Sequence, residues 1–209
     1  MIFLAYGRFS AYIVGMTKLE ALKRHLRPGQ VYRRGDLARW SSAVDRHLKQ
    51  LVKDGTLTKL SGGLYAYPKE TVFGKAPADD RTLVRTFLKD DHFLLASPNV
   101  YNRLGVGTTQ LYDKTVVYNR KRHGTFTLGE RTFDFRMKSS FPKKLSNEFL
   151  LVDLVNNVDW LAESKDEVLA RVKNRVASLD ATRLRRVARN YGGVRAKKLV
   201  DEALALHAA

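Results

Sequence analysis

The sequence predicts an α+β protein: an N-terminal winged helix-turn-helix, followed by a mixed α/β domain with a small antiparallel sheet and C-terminal helices. Three observations predict it. Three short helical periodicities run into a glycine-turned hairpin within residues 17–70, alternating strand patterns fill residues 114–138, and helical periodicity returns from about residue 147. At 209 residues and 44% hydrophobic, the chain can bury one sizeable core or two modest ones, and its length favours two.

The first helix is read over Lys18 to Leu26, where Leu19, Leu22 and Leu26 recur at helical spacing until Pro28-Gly29 ends the pattern. "QVYRR" is a short β-like bridge, and Gly35 to Trp40 makes a brief second helix with Leu37 and Ala38 turned inward. Ser41 and Ser42 offer capping oxygens to a third helix, about Ser42 to Asp54. Its apolar stripe is Val44, Leu48, Leu51 and Val52. Its polar stripe is Ser42, Asp45, Arg46, Lys49, Gln50 and Lys53, and Gly55 closes it. Two strands follow, carrying Leu57 and Lys59, then Leu64, Tyr65 and Tyr67, joined by Ser61-Gly62-Gly63. Helix, helix, helix, hairpin is the winged-helix order.

The domain reading is residues 1–16 as an extension, 17–70 as the winged helix-turn-helix, 71–80 as a linker, 81–160 as the α+β domain and 161–209 as basic helices packed on it. Met16 opens "MTKLEALKRHL", which reads as a natural start, and Gly74 and Pro77 mark the linker. "RTLVRTFLKDD" is helical, "HFLLAS" a buried strand, and Pro98 starts a small helix ending near Gly105. "KTVVYNRK", "GTFTL" and "RTFDFRM" are strands. In the last two, Phe126, Leu128, Phe133, Phe135 and Met137 alternate to one face, leaving Thr127, Thr132, Asp134 and Arg136 on the other, so the sheet is expected to have one covered face. "LSNEFLLVDLVNNVDWL" is apolar around much of a helix. Helices over about 165–178, 181–191 and 194–206 complete the chain, separated by Asp180 and Gly192-Gly193.

Charge narrows the class of partner. Lys and Arg number 38 against 21 Asp and Glu, a net +17 that favours a polyanion, nucleic acid first. A membrane-surface protein should show a long amphipathic segment or a lipidation site, and there is no cysteine to lipidate. The absence of cysteine also removes disulfides, thiolate metal sites and cysteine nucleophiles, and suits a reducing cytoplasm. "MIFLAYGRFSAYIVG" is interrupted by Gly7, Arg8 and Ser10 with no basic stretch ahead of it, so it is not read as a signal peptide. No run of 18 or so apolar residues predicts a membrane span.

A helix that reads DNA needs short polar residues near its N-terminus and Arg or Lys within reach of bases and phosphates. Ser41, Ser42, Arg46, Lys49 and Gln50 meet that need. Arg33, Arg34 and Arg39 lie before the helix, and Lys59 and Ser61 lie on the hairpin, where winged-helix proteins touch phosphate or the minor groove. A second basic surface is read at Arg183, Arg185, Arg186 and Arg189, suited to phosphate or to an acidic protein.

Enzymatic patterns are weaker. The five histidines lack metal-ligand spacing, and "GVGTTQ" lacks the third glycine of a dinucleotide loop and any P-loop lysine, so no metal or cofactor is expected. Asp113, Asp134 and Arg136 have the outline of a metal-dependent nuclease core, but arginine is a poor substitute for the lysine that orients water there. A cross-strand ion pair accounts for Asp134 and Arg136 more simply. The expected protein is not an enzyme.

"VYRRGDLARWSSAVDRHLKQLVKDGTLTKLSGGLYAYPK", then "SPNVYNRLGV", then "RTFDFR" resemble the AbiEi-like antitoxins, bacterial proteins partnered with AbiEii-type nucleotidyltransferase toxins. The resemblance spans roughly residues 17–205. It implies a cytoplasmic antitoxin whose winged helix binds inverted repeats of double-stranded DNA in its own promoter and represses that operon. The larger second part counters the cognate nucleotidyltransferase toxin. The family's DNA contacts map to Ser42, Arg46, Lys49, Gln50, Lys59 and Ser61, and the basic C-terminal helices assist both activities. A homodimer would match a repeated operator with half-sites about 10 base pairs apart. The competing reading is a basic protein-interaction module that docks an acidic partner and binds DNA secondarily.

Overall fold

Thr17 starts the first helix by a reciprocal cap. Its hydroxyl accepts from the Glu20 backbone N–H, and the Glu20 carboxylate accepts from the Thr17 N–H, so α1 runs Lys18–Arg24. A computed structural model describes residues 17–109 and 111–207, and the chain divides into two units with the boundary between Lys89 and Asp90. The extension read over residues 1–16 lies outside the described residues.

In the first unit α1 is followed by β1 (Val31–Arg33), α2 (Arg34–Leu37), α3 (Val44–Lys53), β2 (Thr58–Ser61) and β3 (Leu64–Ala66). The strands form one antiparallel sheet in the order β1-β3-β2, with Val31 opposite Ala66 and Lys59 opposite Tyr65. The predicted bridge is therefore a paired strand. Leu22, Leu26, Leu37, Val44, Leu48, Leu51 and Leu57 form the core under the three helices. α3 starts two residues later than predicted, with Ala43 at the cap position and no side-chain cap bond.

The residues predicted as a linker are structured. β4 (Lys69–Thr71) and β5 (Gly74–Ala76) pair as a second hairpin, and the Lys75 ammonium donates to the Gly55 carbonyl at the end of α3, 2.7 Å away. Next comes α4 (Asp80–Leu88), capped by Asp79, which the sequence reading assigned to the second domain. It belongs to the first unit. The Arg33 guanidinium donates to the carbonyls of Thr86 and Phe87 at 3.1 and 3.0 Å, satisfying two acceptors that the end of a helix leaves open. Gly74 and Pro77 mark a break in periodicity. They could not reveal that the segment around them pairs, nor on which unit the following helix docks.

The second unit opens with β6 (Leu94–Ala96) and a 3-10 helix (Pro98–Leu104) that begins at Ser97 and ends at Gly105, which has φ 67°. Then follow β7 (Thr115–Asn119), β8 (Gly124–Leu128) and β9 (Arg131–Met137). The sheet order is β6-β7-β9-β8, and β7 runs parallel to β9. The sheet is mixed, not antiparallel as predicted: β8 runs along the outer edge, so that β9 returns beside β7 in the same direction. Register puts Val116 and Tyr118 on the face of Asp134 and Arg136, with Val117 on the face of Phe133 and Phe135.

Both faces carry buried residues, which corrects the expectation of one covered face. Leu128, Phe133, Phe135 and Val117 are buried on one, Val116 and Tyr118 on the other. Met137, predicted with the apolar set, is 60% exposed at the strand end. α5 (Asn147–Asn157) packs on the Tyr118 face, where the Phe149 ring meets the Tyr118 ring edge-on. α6 (Lys165–Val176), α7 (Ala181–Tyr191) and α8 (Val194–Leu206) enclose α5 in a core containing Leu150, Leu154, Val172, Leu184 and Val200. Among the described residues, no helix is long and apolar enough to cross a membrane.

Candidate nucleic-acid interface

At 100° per residue, Arg46, Lys49, Gln50 and Lys53 share one side of α3, and Ser42 precedes them on the same side. All five are exposed, while Val44, His47, Leu48 and Leu51 are buried beneath. The exposed side is therefore a cationic strip with two short polar groups, Ser42 and Gln50. Ser42 accepts a hydrogen bond from the Lys18 ammonium at 3.3 Å, which brings a further cation to the start of the helix.

Asp45 is the one acid on the exposed part of this helix apart from Asp54 at its end. The Arg34 guanidinium grips it with two hydrogen bonds of 2.7 and 2.6 Å. That bond holds the Asp45 carboxyl below the usual range and raises Arg34 in turn. Arg34 thus neutralises the group that would most repel a phosphate approaching α3. Arg39, Arg46 and Lys59 are exposed and make no ion pair among the described residues. Ser61 ends β2 and is half-buried beside the Gly62-Gly63 turn.

Two of the predicted contacts face inward instead. Ser41 is buried, its hydroxyl 2.8 Å from the His47 ring Nδ1 and accepting from the Ala43 N–H at 3.2 Å. Arg33 is engaged by α4, as described above. Sequence position alone could not separate them from Ser42 and Arg34, because neighbouring residues at a helix entry diverge in direction within one turn.

The four arginines of α7 spread over its exposed half, opposite buried Leu184 and Ala188, and do not converge. Arg183 pairs with Asp180, the cap of its own helix, at 3.7 Å. Arg189 alone lines a cavity of about 1450 Å³ within the second unit, between the β7–β9 face and the ends of α5, α7 and α8.

Sequence reasoning missed that cavity. On its β9 wall, Arg136 bonds Asp134 two residues before it on the same strand at 2.8 Å, reaches Asn157 at 3.2 Å, and lies over the Trp160 ring at 3.0 Å from its centroid. The Asp134–Arg136 pair is thus within one strand, not across two. Beneath it Asp153, 1% exposed, accepts from the Tyr101 hydroxyl at 2.7 Å and the Tyr118 hydroxyl at 2.8 Å, with the Lys138 ammonium at 3.5 Å. Asn157 donates to both tyrosine oxygens. Burial and the neighbouring carboxylate push both phenols well above their ordinary value. Asp113 lines the same cavity and is exposed. Among the described residues no cluster of three His, Asp or Glu could hold a metal ion.

No family model matches this sequence, and no curated protein does. A solved structure, that of the RV2827C protein from Mycobacterium tuberculosis, is similar to this chain. It aligns with a TM-score of 0.54 at 20% identity, over 91% of this chain and 79% of that one. The likeness is one of fold. One signal for the buried network did stand in the sequence: Asp153 and Asn157 are four residues apart in a helix that is apolar from Phe149 to Val155 except at Asp153, so they share a face and need partners.

Proposed function

We propose that the first unit is a winged helix, with α3 as its reading helix and the β2–β3 hairpin as its wing, and that the chain is a DNA-binding antitoxin of the AbiEi-like kind. In this reading it is a cytoplasmic, non-enzymatic protein. It represses its own operon by binding inverted repeats, as a homodimer if two half-sites are engaged, and it counters a nucleotidyltransferase toxin. The observation that carries the proposal is the co-facial strip of Ser42, Arg46, Lys49 and Gln50, with Asp45 neutralised by Arg34. Short polar groups and arginine on one exposed helix face are what base-edge recognition in a major groove requires.

A gel-shift titration against the chain's own upstream region and a scrambled duplex tests it. Preferential binding to the upstream region is expected, and equal binding to both would overturn sequence reading. Arg46→Ala should remove about 1–3 kcal/mol of discrimination, the value of one good side chain to base pairing. Ser41→Ala should leave discrimination intact. Equal weakening of both duplexes by Arg46→Ala would reassign that residue to a phosphate.

The exposed arginines of α7 favour a second role, docking of an acidic protein surface. Co-purification with the neighbouring nucleotidyltransferase at low and moderate salt tests it, and a tagged chain that never retains that protein would remove stable complex formation.

A further inference from the structure

The cavity of the second unit has the chemistry of a site for unpaired nucleotides. Its walls are cationic: Lys114, Arg189 and Lys197 line it, are exposed and form no ion pair among the described residues. Lys138 and Arg136 add two more cations, each held in place by a carboxylate, Asp153 beneath the wall and Asp134 on the same strand respectively. The acids are therefore accounted for, apart from Asp113 at the edge, and the unpaired charge left facing the space is positive.

An aromatic ring supplies the second half of the chemistry. Trp160 is 55% exposed and lines the same space, with one face of its ring covered by the Arg136 guanidinium. The indole is thereby fixed as a platform on which another flat ring can stack. Cationic walls that follow a phosphodiester backbone, together with an exposed aromatic for bases, are the two parts of single-strand recognition. A base within a duplex has both of its faces stacked and cannot use such a platform.

Size selects among anions. At about 1450 Å³ the cavity exceeds the roughly 300–1,000 Å³ of ordinary small-molecule pockets. That space accommodates two or more linked nucleotides.

We propose that this cavity binds phosphodiester-linked, unpaired nucleotides, either a free dinucleotide or a segment of single-stranded nucleic acid. The site is separate from α3 and does not rest on the reading of that helix.

Trp40→Phe leaves Trp160 as the one tryptophan of the chain and makes it the reporter. Titrating this full-length variant with hexathymidylate at low salt is expected to quench its fluorescence, because a stacked base quenches indole. In anisotropy with a labelled hexamer, Trp160→Ala and the double variant Arg189→Glu/Lys197→Glu should each weaken binding about tenfold or more. All three positions are exposed, so these substitutions leave the core intact, and circular dichroism checks this. Arg46→Ala/Lys49→Ala should leave hexamer binding unchanged. A dinucleotide that competes as well as the hexamer identifies a free dinucleotide as the ligand, and a much weaker dinucleotide identifies a strand. The proposal is overturned by any of four results: no quenching, equal competition by a duplex, equal competition by hexaglutamate, or loss of hexamer binding through the α3 variant alone.

Discussion

Asp153 is a carboxylate closed off from solvent with two phenol donors and an ammonium around it, an arrangement that predicts sensitivity of the second unit to alkali. Tyr101 and Tyr118 both hold their protons more tightly in the folded chain than the ordinary value of 10 allows, through burial first and the Asp153 charge second. A group whose pKa is raised by folding contributes stability that is complete below its unfolded pKa and is lost as pH rises above it. Urea unfolding free energy should therefore keep the full contribution of these phenols, unchanged with pH, between pH 7 and 9 and should fall above about pH 10. Tyr118→Phe should cost about 1–3 kcal/mol at neutral pH by stripping a donor from a buried carboxylate, and should flatten the alkaline fall. An unchanged alkaline slope in the variant would remove Tyr118 from this role. At this scale the sequence was least legible. Ser41 and Ser42, or Arg33 and Arg34, are chemically matched neighbours, and only packing decides that one of each pair faces solvent.

Among the elements, the β2–β3 turn depends on one backbone angle. Gly63 has φ 71°, and its carbonyl accepts from the Arg34 N–H at 2.8 Å, tying the turn to the start of α2. A side chain there meets no clash, the nearest atom being the Arg34 Cβ at 3.8 Å, so the cost of Gly63→Ala is conformational, about 1–2 kcal/mol. Gly62 has open space and no positive φ, so Gly62→Ala should be close to neutral. Thermal unfolding of the two variants compares them directly, and equal melting temperatures would show that the turn bears no such constraint. Elements with a cap and a stop were readable: Asp180 and Gly192-Gly193 bracket α7 where predicted, because a side-chain acceptor and a flexible residue leave a local signature. The β4–β5 hairpin was not, since its strands are three residues each and its pattern too short to register a period.

For the whole molecule the governing quantity is the charge of +17. If α3 binds DNA, operator affinity should fall linearly on a log–log plot against salt, with a slope of about −0.9 for each phosphate contacted. Asp45→Asn deletes the acid on the α3 face and frees Arg34. It should tighten binding to operator and scrambled duplexes alike and steepen the slope by about one contact. Selective tightening on the operator alone would mean that Asp45 takes part in base reading. Composition, periodicity and caps sufficed to predict the mixed α+β class, the three C-terminal helices and the exposed face of α3, because these follow from the local spacing of apolar residues. Tertiary structure alone decided that β7 and β9 run parallel, that α4 docks on β1, and that Asp134, Arg136 and Trp160 meet around one cavity. Each of these depends on contacts between residues far apart in the chain, and no local pattern encodes which distant surface a strand or helix will bury.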